Sequence, residues 1–156
     1  MPESLPRFTL LLVEPSEVSR DIIRAAVAPL AQVEAHANFA DARRRLAGTP
    51  VDFLVTNVRL GAYNGLHLVY LAASFNRGST RAIVYSDQLE VGLGREAQLA
   101  GAFYELRASL PAALISYLQA ATLPPHDRRN PSVRDRRATF RGGRRGSDLP
   151  LTSASH

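Results

Sequence analysis

Apolar residues fall along this chain in two alternating patterns. Phe8 to Val13 is a continuous apolar run closed by Glu14-Pro15, and Val51 to Val55 and Ala82 to Tyr85 contain similar runs. The run Phe8–Val13 suits a central parallel strand buried on both faces, the strand Asp52–Thr56 is again apolar in its middle, and further strands are predicted at Gln32–Ala35, Arg81–Tyr85 and Phe103–Leu106. Between them the period changes to that of a helix. Ser16 can cap a first helix carrying the stripe Val18, Ile22, Ala26 and Leu30, with Ile23 and Val27 beside it. Asn38 can cap a second with Phe39, Ala42 and Leu46 inward, opposite Arg43-Arg44-Arg45. A third is predicted from Asn64 to about Phe75, with Leu66, Val69, Tyr70 and Ala73 on one side. A fourth is predicted from about Leu89 to Ala100, and a fifth from Leu110 to about Thr122 with Leu114, Tyr117 and Leu118 inward. Gly92 and Gly94 weaken the fourth helix by roughly 1 kcal/mol each relative to alanine, so it is expected to be short, mobile or late-starting.

Five strands alternating with five helices predict an α/β fold, a doubly wound five-stranded parallel sheet. The flavodoxin-like order 2-1-3-4-5 fits, with a site at the carboxyl ends of the first and third strands. This domain is expected to occupy residues 1–124. Beyond Leu123-Pro124-Pro125 the periodicity stops, and 125–156 is expected to be a disordered tail rich in Arg, Gly, Ser and Pro.

Charge divides the chain at the same place. Residues 1–120 hold 11 Arg against 11 Asp plus Glu, whereas 121–156 hold 8 Arg against 3 Asp, which accounts for the net +5. The tail arginines, Arg128, Arg129, Arg134, Arg136, Arg137, Arg141, Arg144 and Arg145, suit salt-dependent binding of nucleic acid or another anionic surface. Phe140 stands alone among them, so base-stacking recognition is not expected. All 19 basic side chains are arginine, so no site that requires a lysine can form. The chain has no cysteine, which removes disulfides and thiolate metal sites. The run Leu10–Val13 is too short for a secretory core or a membrane span, and a cytoplasmic location is expected.

Familiar catalytic patterns are missing. No G-x-G-x-x-G or P-loop follows a strand, and Glu14-Pro15-Ser16-Glu17 is anionic where a flavin-phosphate loop would be Ser/Thr/Gly-rich. His36, His67, His126 and His156 lack metal-ligand spacing. No cofactor is expected.

The third strand runs into Thr56-Asn57-Val58-Arg59-Leu60-Gly61, and Gly65 follows Asn57 by eight residues. Together with the strand order and Gly101-Ala102 before the fifth strand, this resembles the receiver domain of response regulators over residues 7 to about 122. The resemblance implies a phosphoaccepting aspartate at the position of Asn57. It also implies an acidic, magnesium-holding pair at Glu14-Pro15, a hydroxyl at Ser86, and a lysine at Ala108, or at Arg107 if one residue is deleted. A carboxamide cannot form the acyl phosphate that a carboxylate forms. The pocket keeps one carboxylate of three, so magnesium binding is expected to be weak or absent. Arg107 is a candidate partner for Glu14, Asp87 a candidate compensating acid, and Ser86 an alternative helix cap. Gly61 replaces a proline usual in the family and is expected to loosen the loop.

These changes point to a degenerate receiver acting by protein contact in bacterial two-component or phosphorelay signalling, with no catalytic residue. The expected partner is another signalling protein, or a second copy of the chain, on a face bearing Tyr85, Tyr104 and Tyr117. Binding of an anionic polymer by the tail is the alternative, and residual phosphoacceptance through Asp87 the third reading.

Overall fold

In the computed structural model, residues 8–122 are described. The main sheet contains β1 (Phe8–Val13), β2 (Ala31–His36), β3 (Phe53–Asn57), β6 (Arg81–Ser86) and β7 (Phe103–Leu106). Two short strands, β4 (Arg59–Leu60) and β5 (Tyr63–Asn64), lie between β3 and β6 in sequence. The helices are α1 (Glu17–Val27), α2 (Phe39–Leu46), α3 (Leu66–Asn76), α4 (Val91–Leu99) and α5 (Leu110–Thr122). All neighbouring strands of the main sheet are parallel, in the order β2-β1-β3-β6-β7. With the two short strands set aside, this is the 2-1-3-4-5 order that the alternating pattern predicts.

Side-chain alternation along each strand builds two cores. Leu10 and Leu12, Phe53 and Val55, and Ile83 and Tyr85 pack with Ile23 and Val27 of α1 and Leu110, Leu114 and Leu118 of α5. Leu11 and Val13, Leu54, and Ala82 and Val84 pack with α2, α3 and α4 on the other face. Ser16 caps α1 by accepting from the Ser19 N–H, and Asn38 caps α2 by accepting from the Asp41 N–H, as their positions predict.

Several expectations need correction. On α1 the buried residues are Ile23 and Val27, while Val18 is 69% exposed and Ile22 is also exposed. The inward side of α3 is Leu66, Leu68, Val69, Ala72 and Asn76, and Tyr70 and Ala73 face outward. Tyr117 is half-buried beside the fully buried Leu114 and Leu118. Helix α4, by contrast, starts late, at Val91, as its two glycines lead one to expect.

The segment after Asn57 forms a short hairpin that the apolar pattern does not predict. Arg59 pairs with Asn64 and Leu60 with Tyr63 across a two-residue turn. Gly61 has φ +63° and Ala62 is not left-handed, the pattern of a hairpin turn that wants glycine first. The arginine-rich tail lies outside the described residues.

Candidate functional site

The carboxyl ends of β1, β3 and β6 bring Glu14, Asn57 and Ser86 to one edge of the sheet. Glu14 has a fully buried carboxylate. Its Oε1 accepts from Arg107 Nη1 at 2.5 Å, and its Oε2 accepts from Asn57 Nδ2 at 2.9 Å. Asn57 Oδ1 in turn accepts the Arg59 backbone N–H at 3.0 Å. The carboxamide therefore works at both ends: it donates to a buried carboxylate and accepts from the start of the hairpin. An aspartate could make only the second contact and would bring a like charge to Glu14.

Arg107 closes the pocket. Its Nη1 also donates to Ser19 Oγ at 2.6 Å, and its Nε donates to Asp87. Its guanidinium carbon lies 5.5 Å from the centroid of the Tyr85 ring, within cation–π range. The guanidinium thus spans Glu14 and Asp87, its planar fork reaching both as a lysine ammonium would not. Burial opposes the charge on Arg107, but its hydrogen bonds to Asp87 and Glu14 outweigh that and hold its pKa above the ordinary arginine value. Arg107, at the end of β7, is thus the residue that reaches the pocket, while Ala108 is exposed and forms no part of it. Pro15 is exposed and contributes backbone only: its carbonyl and that of Glu14 accept from Arg20 Nη1 at 3.0 and 2.7 Å.

These residues do not fit a magnesium site. That ion wants several oxygen ligands in a near-octahedral shell. Both oxygens of Glu14 already accept from nitrogen donors, Asp87 is engaged by the same guanidinium, and Asn57 turns its amide nitrogen toward Glu14. Among the described residues no group of three His, Asp or Glu side chains is placed to hold a metal ion.

Ser86 is buried and faces the loop before α4. Its hydroxyl donates to the Gln88 carbonyl at 2.6 Å and shares a 2.5 Å hydrogen bond with Tyr104 Oη. Tyr104 Oη also accepts from the Glu90 N–H at 3.2 Å. The alternative role for Ser86 as a helix cap is not realised, because the cap position of α4 is Glu90 and has no side-chain bond.

Tyr85 is not on a surface. Strand alternation points it into the α1/α5 core, where it is fully buried. Desolvation, reinforced by the negative charge of Glu14, raises its phenol pKa far above the usual value. Tyr104 and Tyr117 are half-buried near β7, at the edge of the sheet. Tyr117 donates to Glu105 at 2.7 Å and stacks on Phe103 at 4.8 Å between centroids. Burial and the Glu105 carboxylate push its phenol up to about 12. Leu89, Val91 and Leu99 are exposed on and before α4, as is half of Phe103 on β7.

Sequence reasoning missed Ser19 as a partner of Arg107, because the two are 88 positions apart. It also missed the Arg59–Glu90 ion pair at 3.0 Å, which ties the hairpin to the start of α4.

No protein-family model matches the chain, and no curated protein matches it. Solved structures do. The chain is similar to a two-component response regulator of the LuxR family from Aurantimonas sp. SI85-9A1, with TM-score 0.65 and 23% identity over 73% of this chain and 84% of that one. It is also similar to a CheY-like response regulator receiver domain protein from Methanospirillum hungatei JF-1, with TM-score 0.67 and 17% identity over 76% and 94%. A third is the signal receiver domain of a putative Luxo repressor protein from Vibrio parahaemolyticus, with TM-score 0.63 and 18% identity over 74% and 92%. Sheet order, helix placement and these likenesses together show that residues 8–122 have the receiver-domain fold of response regulators.

Proposed function

We propose that this domain is a pseudo-receiver: a module of two-component or phosphorelay signalling that works by protein contact, without accepting a phosphoryl group. The observation that carries this reading is the Asn57–Glu14–Arg107 chain of hydrogen bonds. It supplies from within the protein the positive charge and the donors that a metal and a phosphoryl group would otherwise bring. No residue of the pocket has a catalytic role in this reading, and magnesium binds weakly or not at all. Asp87 is a poor substitute phosphoacceptor, since its carboxylate is already held by Arg107.

The contact surface follows from what the fold leaves uncovered. β7 is an edge strand, and edges offer unpaired backbone groups to a partner. Beside it lie exposed Leu99 and Phe103, with Tyr117 stacked on Phe103. Tyr104 is held by Ser86 and the 88–90 backbone, so this face keeps one shape irrespective of phosphorylation. A second signalling protein or a second copy of the chain would dock here.

Two experiments test the reading. Beryllofluoride with magnesium should leave the amide spectrum unchanged at Asn57, Ser86 and Tyr104. Saturable shifts at those residues would refute it. Affinity capture should retain the same protein partner with the full chain and with a chain ending at Leu123, after nuclease treatment, and Leu99→Asp should lose it. The segregation of eight arginines against three aspartates in 121–156 favours a second reading, binding of an anionic polymer. Capture that needs the tail and vanishes with nuclease would establish that reading in place of the first.

A further inference from the structure

Between α2 and α3, on the sheet face opposite α1 and α5, lies an open cleft of 490 Å³. Phe39 and Arg43 line it from α2; His67, Tyr70, Leu71 and Ser74 line it from α3. Spacings of three and four residues put each set on one stripe of its helix. Phe39 is fixed in place, stacked on Tyr63 at 4.5 Å with the His67 ring edge-on at 6.4 Å. Tyr70 is 54% exposed, so its ring offers free surface to the cleft.

The charge here is unbalanced in a specific way. Of the three consecutive arginines on α2, Arg44 pairs with Asp41 at 3.6 Å and Arg45 pairs with Glu34. Arg43, the one that lines the cleft, has no ion pair among the described residues, and no lining residue is a carboxylate. An aromatic-walled cleft with one free guanidinium and the hydroxyls of Tyr70 and Ser74 at its margin is complementary to a planar anion. Its size limits the occupant. From His67 to Ser74 the stripe is about 10 Å long at 1.5 Å per residue, which accommodates one or two fused rings and a carboxylate.

We infer that the cleft between α2 and α3 binds a small aromatic carboxylate of one or two rings, with the rings against Tyr70 and Phe39 and the carboxylate on Arg43. The cleft shares no residue with the Glu14–Arg107 pocket, so the inference is independent of the pseudo-receiver reading.

The test is titration of the isotope-labelled full chain with 2-naphthoate, and separately with the neutral 2-naphthalenemethanol, followed by amide shifts. Naphthoate should produce saturable shifts in residues 39–46 and 66–76. Arg43→Gln should weaken naphthoate about tenfold, the size expected for one charge-assisted hydrogen bond, while leaving the alcohol unchanged. Tyr70→Ala should weaken both ligands. Both side chains are exposed, and dispersed spectra of the variants will report an intact fold. The inference is overturned by shifts that do not saturate, by shifts confined to residues 123–156, or by naphthoate binding that Arg43→Gln leaves unaltered. It is also overturned if an acidic amphipathic peptide shifts these amides and naphthoate does not, which would assign the cleft to a protein partner.

Discussion

Arg107→Met should lower the unfolding free energy by about 3 kcal/mol, near the low end of what removing one partner of a buried ion pair costs. Glu14 is fully buried, so its charge cannot be rehydrated without opening the sheet edge, whereas the Arg107 side chain is 30% exposed and leaves a path for water. Methionine keeps the stem length and loses every donor, so the effect reports charge and hydrogen bonding more than packing. Arg107→Lys should be intermediate, since one ammonium cannot reproduce contacts to Glu14, Asp87 and Ser19 together. Glu14→Gln in the Arg107→Met background should recover a large part of the loss, because it removes the stranded charge. Urea denaturation of the two single variants and the double variant gives the coupling directly. Additive single effects, or an Arg107→Met midpoint equal to the parent's, would mean that Glu14 has no need of the guanidinium.

Gly65→Ala should destabilise the domain by about 1–3 kcal/mol, the range for forcing atoms into an occupied site. The φ of Gly65 is −58°, which any residue adopts, so the cause is contact and not backbone strain. A Cβ at this position would lie 2.2 Å from the Asn57 carbonyl oxygen and 2.8 Å from Thr56 Oγ1. Relief requires α3 to move away from the end of β3, which stretches the 2.8 Å bond from the Gly65 N–H to the Val58 carbonyl. The consequences should extend to the hairpin and to Asn57. Gly92→Ala is the contrast: nothing lies within 4 Å of its Cβ, and alanine should stabilise α4 by up to about 1 kcal/mol. Thermal melts of both variants separate crowding from propensity. Equal melting temperatures for Gly65→Ala and the parent would show that the α3 junction is not tightly packed.

The central strands were legible because a strand covered on both faces must be apolar throughout, and Leu10–Val13 and Phe53–Val55 have no other reading. The caps Ser16 and Asn38 were legible because side-chain capping is local. Helix faces were less so. On α1 both Val18–Ile22 and Ile23–Val27 satisfy the helical period, and only packing against β1 and α5 selects the second. Helix α3 is apolar almost all round, so its period carries little information about which side faces the sheet. The hairpin at 59–64 has two-residue strands, too short for any alternation to show.

In the site, Glu14, Asn57, Ser86 and Arg107 were legible through the receiver resemblance. Tyr85 shares strand parity with Ile83, and that parity places it in the core and not on a surface. Ser19 was hidden by distance along the chain.

The Glu14–Arg107 pair spans 93 positions, and that separation bears on how the molecule is made. Synthesis delivers the anion early, at the end of the first strand, and the cation only near the end of the domain. Until residue 107 has left the ribosome, a nascent sheet that closes over Glu14 encloses a charge with no counterion. Premature closure is thereby penalised, and completion of β7 is the event that neutralises the interior. The same contact that stands in the pocket of the finished protein also marks, during translation, the point at which the last strand of the sheet has arrived.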